Sequence, residues 1–136
     1  VFTSLKVSRE KIYDLSPSKR PDIVVVLDHL LLEEEDITQG LKQGGLVIIN
    51  SPLAVRGYGF NGSRVAVADV TDLSVKAGLP QGMVNSGIIG SFARAAGLVE
   101  LDALLKTIKD EFIGRRPGEN ACAAQLCFEN TIMGGL

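Results

Sequence analysis

The sequence predicts an α/β fold, with a mostly parallel sheet flanked by helices and a helical C-terminal end. Three short runs of consecutive aliphatic residues alternate with helix and turn signals, which is typical of strands buried on both faces of a parallel sheet. The final third carries apolar residues at helical spacing. A composition of 46% hydrophobic and 22% charged residues suits one globular α/β domain covering residues 1–136.

The opening residues predict a strand and indicate that the N-terminal part of the protein is missing from this sequence. Phe2–Ser8 alternates in character as a half-buried strand does. Because the chain starts at Val1 without Met and already reads as a strand there, we expect an N-terminally truncated fragment. Ser16–Pro21 holds two prolines among polar residues and predicts a loop.

The first core strand and a helix follow this loop. Asp22–Asp28 is a continuous run of β-branched and aliphatic residues between two carboxylates. Leu30–Lys42 carries acidic residues early and a lysine at its end, in agreement with a helix macrodipole. Gly44 and Gly45 then predict the helix stop.

Two more core strands are predicted. Leu46–Asn50 is the second, and Ser51–Pro52 ends it because proline cannot donate to a sheet ladder. A glycine-rich connection, Ala54–Ser63, leads to the third strand, Arg64–Val70. Strands of this order separated by short helices predict right-handed crossovers.

The rest of the chain is predicted to be helical. Thr71 is expected to cap a short helix over Asp72–Ala77, which Gly78 stops. The longer helices are predicted from apolar residues at helical spacing. Gly97 ends the first of them, and a glycine-containing turn follows the second. These are predicted at Ser86–Ala96, Leu101–Ile113 and Glu119–Met133.

Charge and composition exclude several functions. The formal net charge is −2 and basic residues form no stripe interleaved with aromatics, so nucleic acid is not an expected partner. No run approaches the roughly 18 apolar residues that cross a membrane, and no signal peptide is visible. Cys122 and Cys127 lie five residues apart, which fits neither a redox nor a zinc motif. We interpret them as small apolar residues on a packed helix, reduced in a cytoplasmic protein.

Gly57–Gly62 reads G-x-G-x-x-G, the dinucleotide fingerprint. That motif binds phosphate only where a strand leads into it and a helix begins within it. Here Pro52 precedes it in a loop and a strand follows it. We therefore interpret the segment as a flexible loop.

Polar residues at the predicted strand ends could meet a ligand, because open α/β sheets bind ligands beyond their carboxyl ends. The candidates, each also explained as a turn or cap residue, are Asp28, Asn50, Ser51 and Asp69. His29 is the only histidine and is interpreted as a surface or capping residue, since one histidine makes no metal cluster. The acidic run Glu33–Asp36 points around a helix and is interpreted as a solvated helix start.

The strongest local signal is Gln81–Gly87. Its glycines let the backbone approach another group closely. Asn85 or Ser86 can cap the following helix, whose free amides would suit a phosphate, a carboxylate or a carbonyl. Small residues recur along that helix and permit tight packing on a sheet or a neighbouring subunit: Gly87, Gly90, Ala93 and Gly97. A purely structural, tightly packed helix start remains an open alternative.

Several of these segments come in the order seen in one family. They are Pro21–Asp28, Gly40–Ser51, Val84–Phe92, Gly97–Val99 and Asn120. The chain resembles the gamma subunit, or gamma domain, of the 2-oxoacid:ferredoxin oxidoreductases, of the pyruvate/ketoisovalerate type. The likeness runs from Leu5 to Phe128. The family's N-terminal glycine-rich strand–loop–helix has no counterpart in this sequence.

The resemblance implies a role in oxidative decarboxylation of a 2-oxoacid with coenzyme A to acyl-CoA, CO2 and reduced ferredoxin. It implies alpha, beta and delta-type partner subunits that hold thiamine diphosphate, Mg and [4Fe-4S] clusters, and a coenzyme A site shared between subunits. The contact residues it implies here are Asn85, with Val84 and Ser86 beside it. No catalytic acid, base or nucleophile is expected on this chain.

Two other functions stay open. The chain could be a stand-alone Rossmann-like small-molecule-binding module, against which the context of the G-x-G-x-x-G segment argues. It could also be an architectural subunit that supports an interface and contacts no cofactor.

Overall fold

The computed structural model describes residues 2–135 and confirms the predicted α/β class. The strands are β1 Ile23–Val26, β2 Leu46–Asn50, β3 Arg64–Ala68 and β4 Ile132–Gly135. The helices are α1 Leu31–Glu34, α2 Val70–Lys76, α3 Asn85–Ala96, α4 Leu101–Glu111 and α5 Pro117–Asn130. Val55–Gly57 forms one 3-10 turn. The three core strands and the three long helices thus lie where the sequence predicts them.

The strands form one sheet in the order β1-β2-β3-β4. The first three strands are parallel, as their continuous apolar runs predict: Val25 pairs with Ile48, and Ile48 pairs with Ala66. β4 runs antiparallel to β3 and brings Met133 beside Ala66. The sheet is therefore mostly parallel, with one antiparallel strand beside β3.

The helix predicted over Glu119–Met133 is wrong at its C-terminal end. α5 ends at Asn130, whose side-chain amide donates to the carbonyl of Leu126 at 2.8 Å. The backbone of Thr131 is extended, and the next four residues pair with β3. This pairing joins residues about 65 positions apart, so helical spacing in the local sequence could not predict it.

The two faces of the sheet are covered by different kinds of structure. On the face that we call the helical face, Ile48 and Ala66 pack against residues from α2, α3 and α5. Those helical residues include Val70, Ile88 and Cys127. On the opposite face, which we call the loop face, connecting segments cover Val47, Ile49, Val65 and Val67. Their main contacts there come from Leu32, Leu41, Val55, Tyr58 and Phe60.

The strand predicted over Phe2–Ser8 is wrong. No regular element is present between Phe2 and Asp22, and the side chains of Phe2, Leu5 and Val7 are exposed. An alternating sequence forms a strand only when another strand pairs with it, and none does so here within the described residues. Val1, from which a missing start is expected, lies outside the described residues.

The helix predicted over Leu30–Lys42 is also wrong in length, since α1 is a single turn. The Asp36 carboxylate accepts hydrogen bonds from the Thr38 amide at 3.1 Å and hydroxyl at 2.7 Å. Such a local turn competes with helical hydrogen bonding. Gly40 then takes a positive φ of 83°. The order of charges favoured a longer helix, but the turns at Asp36 and Gly40 end it after one turn.

The capping residue predicted for α2 needs one correction. Asp69 is the cap, with its carboxylate accepting from the Asp72 amide at 3.2 Å, whereas Thr71 lies inside the helix. The Thr71 hydroxyl instead accepts a hydrogen bond from the side chain of Asn50 at 2.9 Å. Both residue types are good helix caps. Because β3 ends at Ala68 and α2 begins at Val70, the cap position falls on Asp69.

Candidate functional site

α3 places the Val84–Gly87 loop at the carboxyl edge of the parallel strands. A side chain at Gly87 would contact Val70 and Ser74, which follow the carboxyl end of β3. At the other end of α3, Ala96 borders a shallow depression with residues at the amino ends of the strands, including Gly45 and Arg64. The helix therefore runs antiparallel to β1–β3, and its positive end lies at the edge where α/β sheets bind ligands.

The start of α3 carries no side-chain cap among the described residues. Its cap position is Val84, which is half-buried against the helical face, and Asn85 is the first helical residue with an exposed side chain. The expectation that Asn85 or Ser86 caps the helix is therefore wrong. The first amides of any helix lack intrahelical partners, and at α3 no side chain of the described residues takes their place. The side-chain amide of Asn85 is exposed and therefore accessible to another molecule.

Ser86 is held inside the molecule. It is 2% exposed, and its hydroxyl donates to Oδ1 of Asn120 at 2.7 Å. Nδ2 of Asn120 donates to the carbonyls of Arg115 and Arg116 at 3.2 and 2.8 Å. Of the three predicted contact residues, only Asn85 is thus exposed, while Val84 is half-buried and Ser86 is buried.

Asn120 lies behind the candidate site, and the sequence named it only as part of the family resemblance. It lies 34 positions from Ser86, and no local spacing links the two residues. The one signal for this contact is that Asn120 is a polar residue among alanines near the start of a helix. Because it is buried there, its amide requires hydrogen-bond partners.

Gly87, Gly90 and Ala93 of α3 are buried and pack within the chain, as predicted, whereas Gly97 is exposed and has no neighbour among the described residues to pack against. A Cβ added at Gly90 would overlap the carbonyl of Ala124 in α5. A Cβ at Gly87 would lie 2.7 Å from a methyl group of Val70 and 3.0 Å from the sulfur of Cys127. The glycines therefore let α3 approach α5 and α2 closely, which fixes the helix that carries Asn85.

The other polar residues at the carboxyl edge serve the fold. The Asn50 side chain donates to the carbonyl of Leu27 at 3.1 Å and accepts from the amide of Val70 at 2.9 Å. The Ser51 hydroxyl is hydrogen-bonded to the Tyr58 hydroxyl at 2.6 Å. The carboxylate of Asp28 accepts from the amide of Leu30 at 3.0 Å. With Asp69 as a helix cap, all four residues have the turn and cap roles that were the alternative to ligand contact.

The remaining candidates show no converging chemistry. Gly57–Gly62 is an irregular loop that leads into β3, so no helix begins within it, as predicted. Glu33–Asp36 are all exposed, and His29 is partly exposed beside Asp28 at 3.9 Å. Residues 2–135 contain no group of three His, Cys, Asp or Glu side chains that could share a metal ion.

The two cysteines differ in environment. Cys127 is fully buried on the helical face, and this burial, with a smaller effect of the Asp69 charge, raises the pKa of its thiol to about 12. Cys122 is exposed, which corrects its interpretation as a packed residue. Neither is in a disulfide. A buried thiol with a raised pKa is a poor nucleophile, so Cys127 has a packing role.

Across the described part of the chain, the helices are all too short or too polar to span a membrane.

Comparison with known proteins gives a family match over nearly the whole chain. The sequence profile of a family described as pyruvate ferredoxin/flavodoxin oxidoreductase matches residues 1–129.

Individual relatives agree with that match. The "Pyruvate/ketoisovalerate oxidoreductases common subunit gamma" of Thermococcus litoralis is 37% identical over 118 residues, which cover 83% of this chain and 63% of that protein. The "Pyruvate synthase subunit PorC" of Methanothermobacter marburgensis is 35% identical over 109 residues, 80% of this chain and 59% of that protein. This chain therefore spans about three-fifths of the length of these relatives.

A solved structure is similar in fold. The crystal structure of pyruvate oxidoreductase subunit PORC from Thermotoga maritima superimposes with a TM-score of 0.74 at 28% identity. The superposition covers 86% of this chain and 67% of that one.

Proposed function

The chain belongs to the pyruvate ferredoxin/flavodoxin oxidoreductase family, and on that premise we propose that it is a gamma-type subunit of a multi-subunit 2-oxoacid:ferredoxin oxidoreductase. The observation that carries the proposal is the family match over residues 1–129. Relatives named as a common gamma subunit and as PorC support a subunit role. The assembled enzyme would convert a 2-oxoacid and coenzyme A to acyl-CoA and CO2 and pass electrons to ferredoxin.

We propose that the start of α3 forms one side of a coenzyme A site. The available groups are the amide side chain of the exposed Asn85 and its backbone amide, the first of this uncapped helix. These donors and the Asn85 carbonyl fit a molecule that carries phosphates and amides, because helix N-termini favour anions and an amide side chain both donates and accepts. Coenzyme A supplies the thiol that takes the acyl group. This chain would hold and orient the coenzyme from one side.

The chain contributes no proton transfer or covalent step in this proposal. The start of α3 itself carries Val84, Asn85 and Ser86, and the buried side chains of Ser74 and Asn120 lie beside it. Cys127, the nearest thiol in the packed region, stays protonated because burial raises its pKa to about 12. As the family resemblance implies, thiamine diphosphate, Mg and [4Fe-4S] clusters would be held by alpha, beta and delta-type partner subunits.

The exposed apolar residues of β1 and the turn after it support contact with such partners. Val25 is 41% exposed and alternates with Val24 and Val26 of the loop face, so it lies on the helical side of the sheet, and Leu27, just after β1, is 50% exposed. Leu30 and Leu31 are also exposed at the carboxyl end of the same strand. Parallel sheets are normally covered on both faces, so this uncovered part of the helical face fits an interface with another subunit.

Co-purification tests the subunit role. The tagged chain, isolated from its native extract, should bring down polypeptides that contain thiamine diphosphate and iron–sulfur clusters. Purification of the chain alone as a stable monomer would contradict the proposal. The stand-alone binding module instead predicts that nucleotides raise the melting temperature of the isolated chain.

The coenzyme contact is tested in the assembled enzyme. Asn85→Ala should raise the apparent KM for coenzyme A by about 2- to 12-fold, the effect of losing one hydrogen bond worth about 0.5–1.5 kcal/mol. Asn61→Ala is the matched control, because Asn61 is also exposed but lies in the Gly57–Gly62 loop. An unchanged KM in Asn85→Ala would favour the purely architectural function.

A further inference from the structure

Two buried hydrogen bonds join α3 to α5, at different points along the contact. The Ser86 hydroxyl donates to Asn120 at 2.7 Å in the first turn of each helix. Farther along α3, Oγ of Ser91 lies 2.9 Å from Oγ1 of Thr131, which follows α5. All four residues are at most 4% exposed. The two bonds therefore form a matched pair, one at the start of α3 and one away from it.

Asn120 also holds the turn before α5. It donates both hydrogens of its side-chain amide to the carbonyls of Arg115 and Arg116. Arg116 has φ 59°, which is the only positive φ at a non-glycine residue between positions 2 and 135. A left-handed arginine is sterically unfavourable and persists only where surrounding contacts hold it. One buried side chain thus ties together the start of α3 and a strained turn.

We infer that Asn120 is a positioning residue for the Val84–Gly87 loop. No side chain in the described chain caps α3, and Asn85 is exposed, so the hydrogen bond between Ser86 and Asn120 is the polar anchor of this helix start. Packing at Gly87 and Gly90 holds α3 against α2 and α5, and the hydrogen bond from Ser86 to Asn120 adds a buried polar contact at its first turn. Groups that bind a ligand must be held rigidly by the residues behind them. The inference rests on the proposed function only in naming coenzyme A as that ligand.

Amide hydrogen exchange of the assembled enzyme, without coenzyme A, tests the anchor itself. Asn120→Ala should accelerate exchange at residues 83–88 and at 114–118 together. The Ser86 hydroxyl and the carbonyls of Arg115 and Arg116 lose the side chain that joins them, so both segments open more readily. Ser86→Ala should accelerate exchange at 83–88 only, since Asn120 keeps its bonds to the turn. This milder variant also serves if Asn120→Ala does not fold. Unchanged exchange at 83–88 in both variants would overturn the inference.

Kinetics test the link to the ligand. Asn120→Ala and Ser86→Ala should raise the KM for coenzyme A about 3- to 10-fold and leave kcat and the KM for the 2-oxoacid unchanged. Ser91→Ala is the control, because it removes the other buried bond between the same helices. It should lower thermal stability without changing the KM for coenzyme A. An equal rise of that KM in Ser91→Ala would mean general destabilisation and would overturn the positioning role.

The two proposals fail in different ways. Faster exchange at 83–88 with an unchanged KM in Asn120→Ala and Asn85→Ala supports the anchor and overturns the coenzyme A site. A raised KM in Asn85→Ala with normal exchange in Asn120→Ala supports the coenzyme A site and overturns the anchor.

Discussion

The helical and loop faces cover the same three parallel strands by different means. Helices α2, α3 and α5 pack on the helical face through glycines and buried hydrogen bonds, which leave little room for adjustment. The loop face is covered by a one-turn helix, a 3-10 turn and irregular chain. The closely packed helical face is therefore better suited to hold a ligand group in a fixed place, although the G-x-G-x-x-G segment lies on the loop face.

The largest expected contrast compares adjacent residues of β2. Ile48 faces the helices and Ile49 faces the loops, and both are fully buried. We expect Ile48→Ala to lower the free energy of unfolding by about 3–5 kcal/mol and Ile49→Ala by about 2–3 kcal/mol, because loops can collapse into a cavity more readily than packed helices. Urea denaturation measures both. Equal losses would contradict the difference in rigidity between the faces.

A smaller contrast comes from glycine. Gly90→Ala should destabilise the protein by about 1–3 kcal/mol, because the new methyl group overlaps the Ala124 carbonyl. Gly59→Ala on the loop face should be neutral or slightly stabilising, since no atom lies within 4 Å of the added carbon. Thermal unfolding of the two variants checks the pair. A stable Gly90→Ala protein would show that α3 and α5 can separate at little cost.

Aspartates that bond to the backbone give the next contrast. Asp69→Ala removes the cap of α2 and should cost about 1 kcal/mol of stability. Asp36→Ala removes an exposed turn bond beside α1 and should cost a few tenths of a kcal/mol, as for most surface changes. Denaturant midpoints at constant slope measure both losses. If Asp36→Ala lost more stability than Asp69→Ala, the loop face would contribute more to stability than its exposed turn bonds indicate.

A further contrast concerns the buried thiol. Cys127 has its pKa raised to about 12 in the folded protein, whereas an unfolded cysteine ionises near pH 8.5. The folded state therefore binds this proton more tightly, and the thiol's contribution to stability is complete below about pH 8.5 and is lost as the pH rises toward 12.

Wild-type protein should consequently lose stability more steeply than Cys127→Ala between pH 8.5 and 10.5. At pH 8 a thiol reagent should modify the exposed Cys122 in the folded protein and Cys127 only after unfolding. Equal rates for the two thiols would mean that the helical face opens readily.

How much could be predicted from the sequence also differs between the faces. β1, β2, β3 and the long helices were predictable within a few residues, because apolar runs, helical spacing and glycine stops such as Gly97 act locally. That glycine has φ 67° and ends α3 as predicted. The loop-face helix after β1 was predicted too long, since charge order favoured a helix where Asp36 and Gly40 form turns.

Long-range pairing accounts for the remaining errors. β4 was missed because Ile132 and Met133 continue the apolar spacing of α5, and only contact with β3 makes them a strand. The candidate site at the start of α3, where glycines and polar residues meet, stays a prediction. The contact of Ser86 with Asn120 was not predictable, since it depends on how two helices pack.

Hydrogen exchange of the assembled enzyme with and without coenzyme A tests whether the start of α3 contacts the coenzyme. We expect coenzyme A to slow amide exchange at residues 81–88, at the carboxyl edge of the helical face. Exchange at residues 57–62 of the loop face should stay unchanged. Unchanged exchange at 81–88, or protection of 57–62 instead, would contradict this contact.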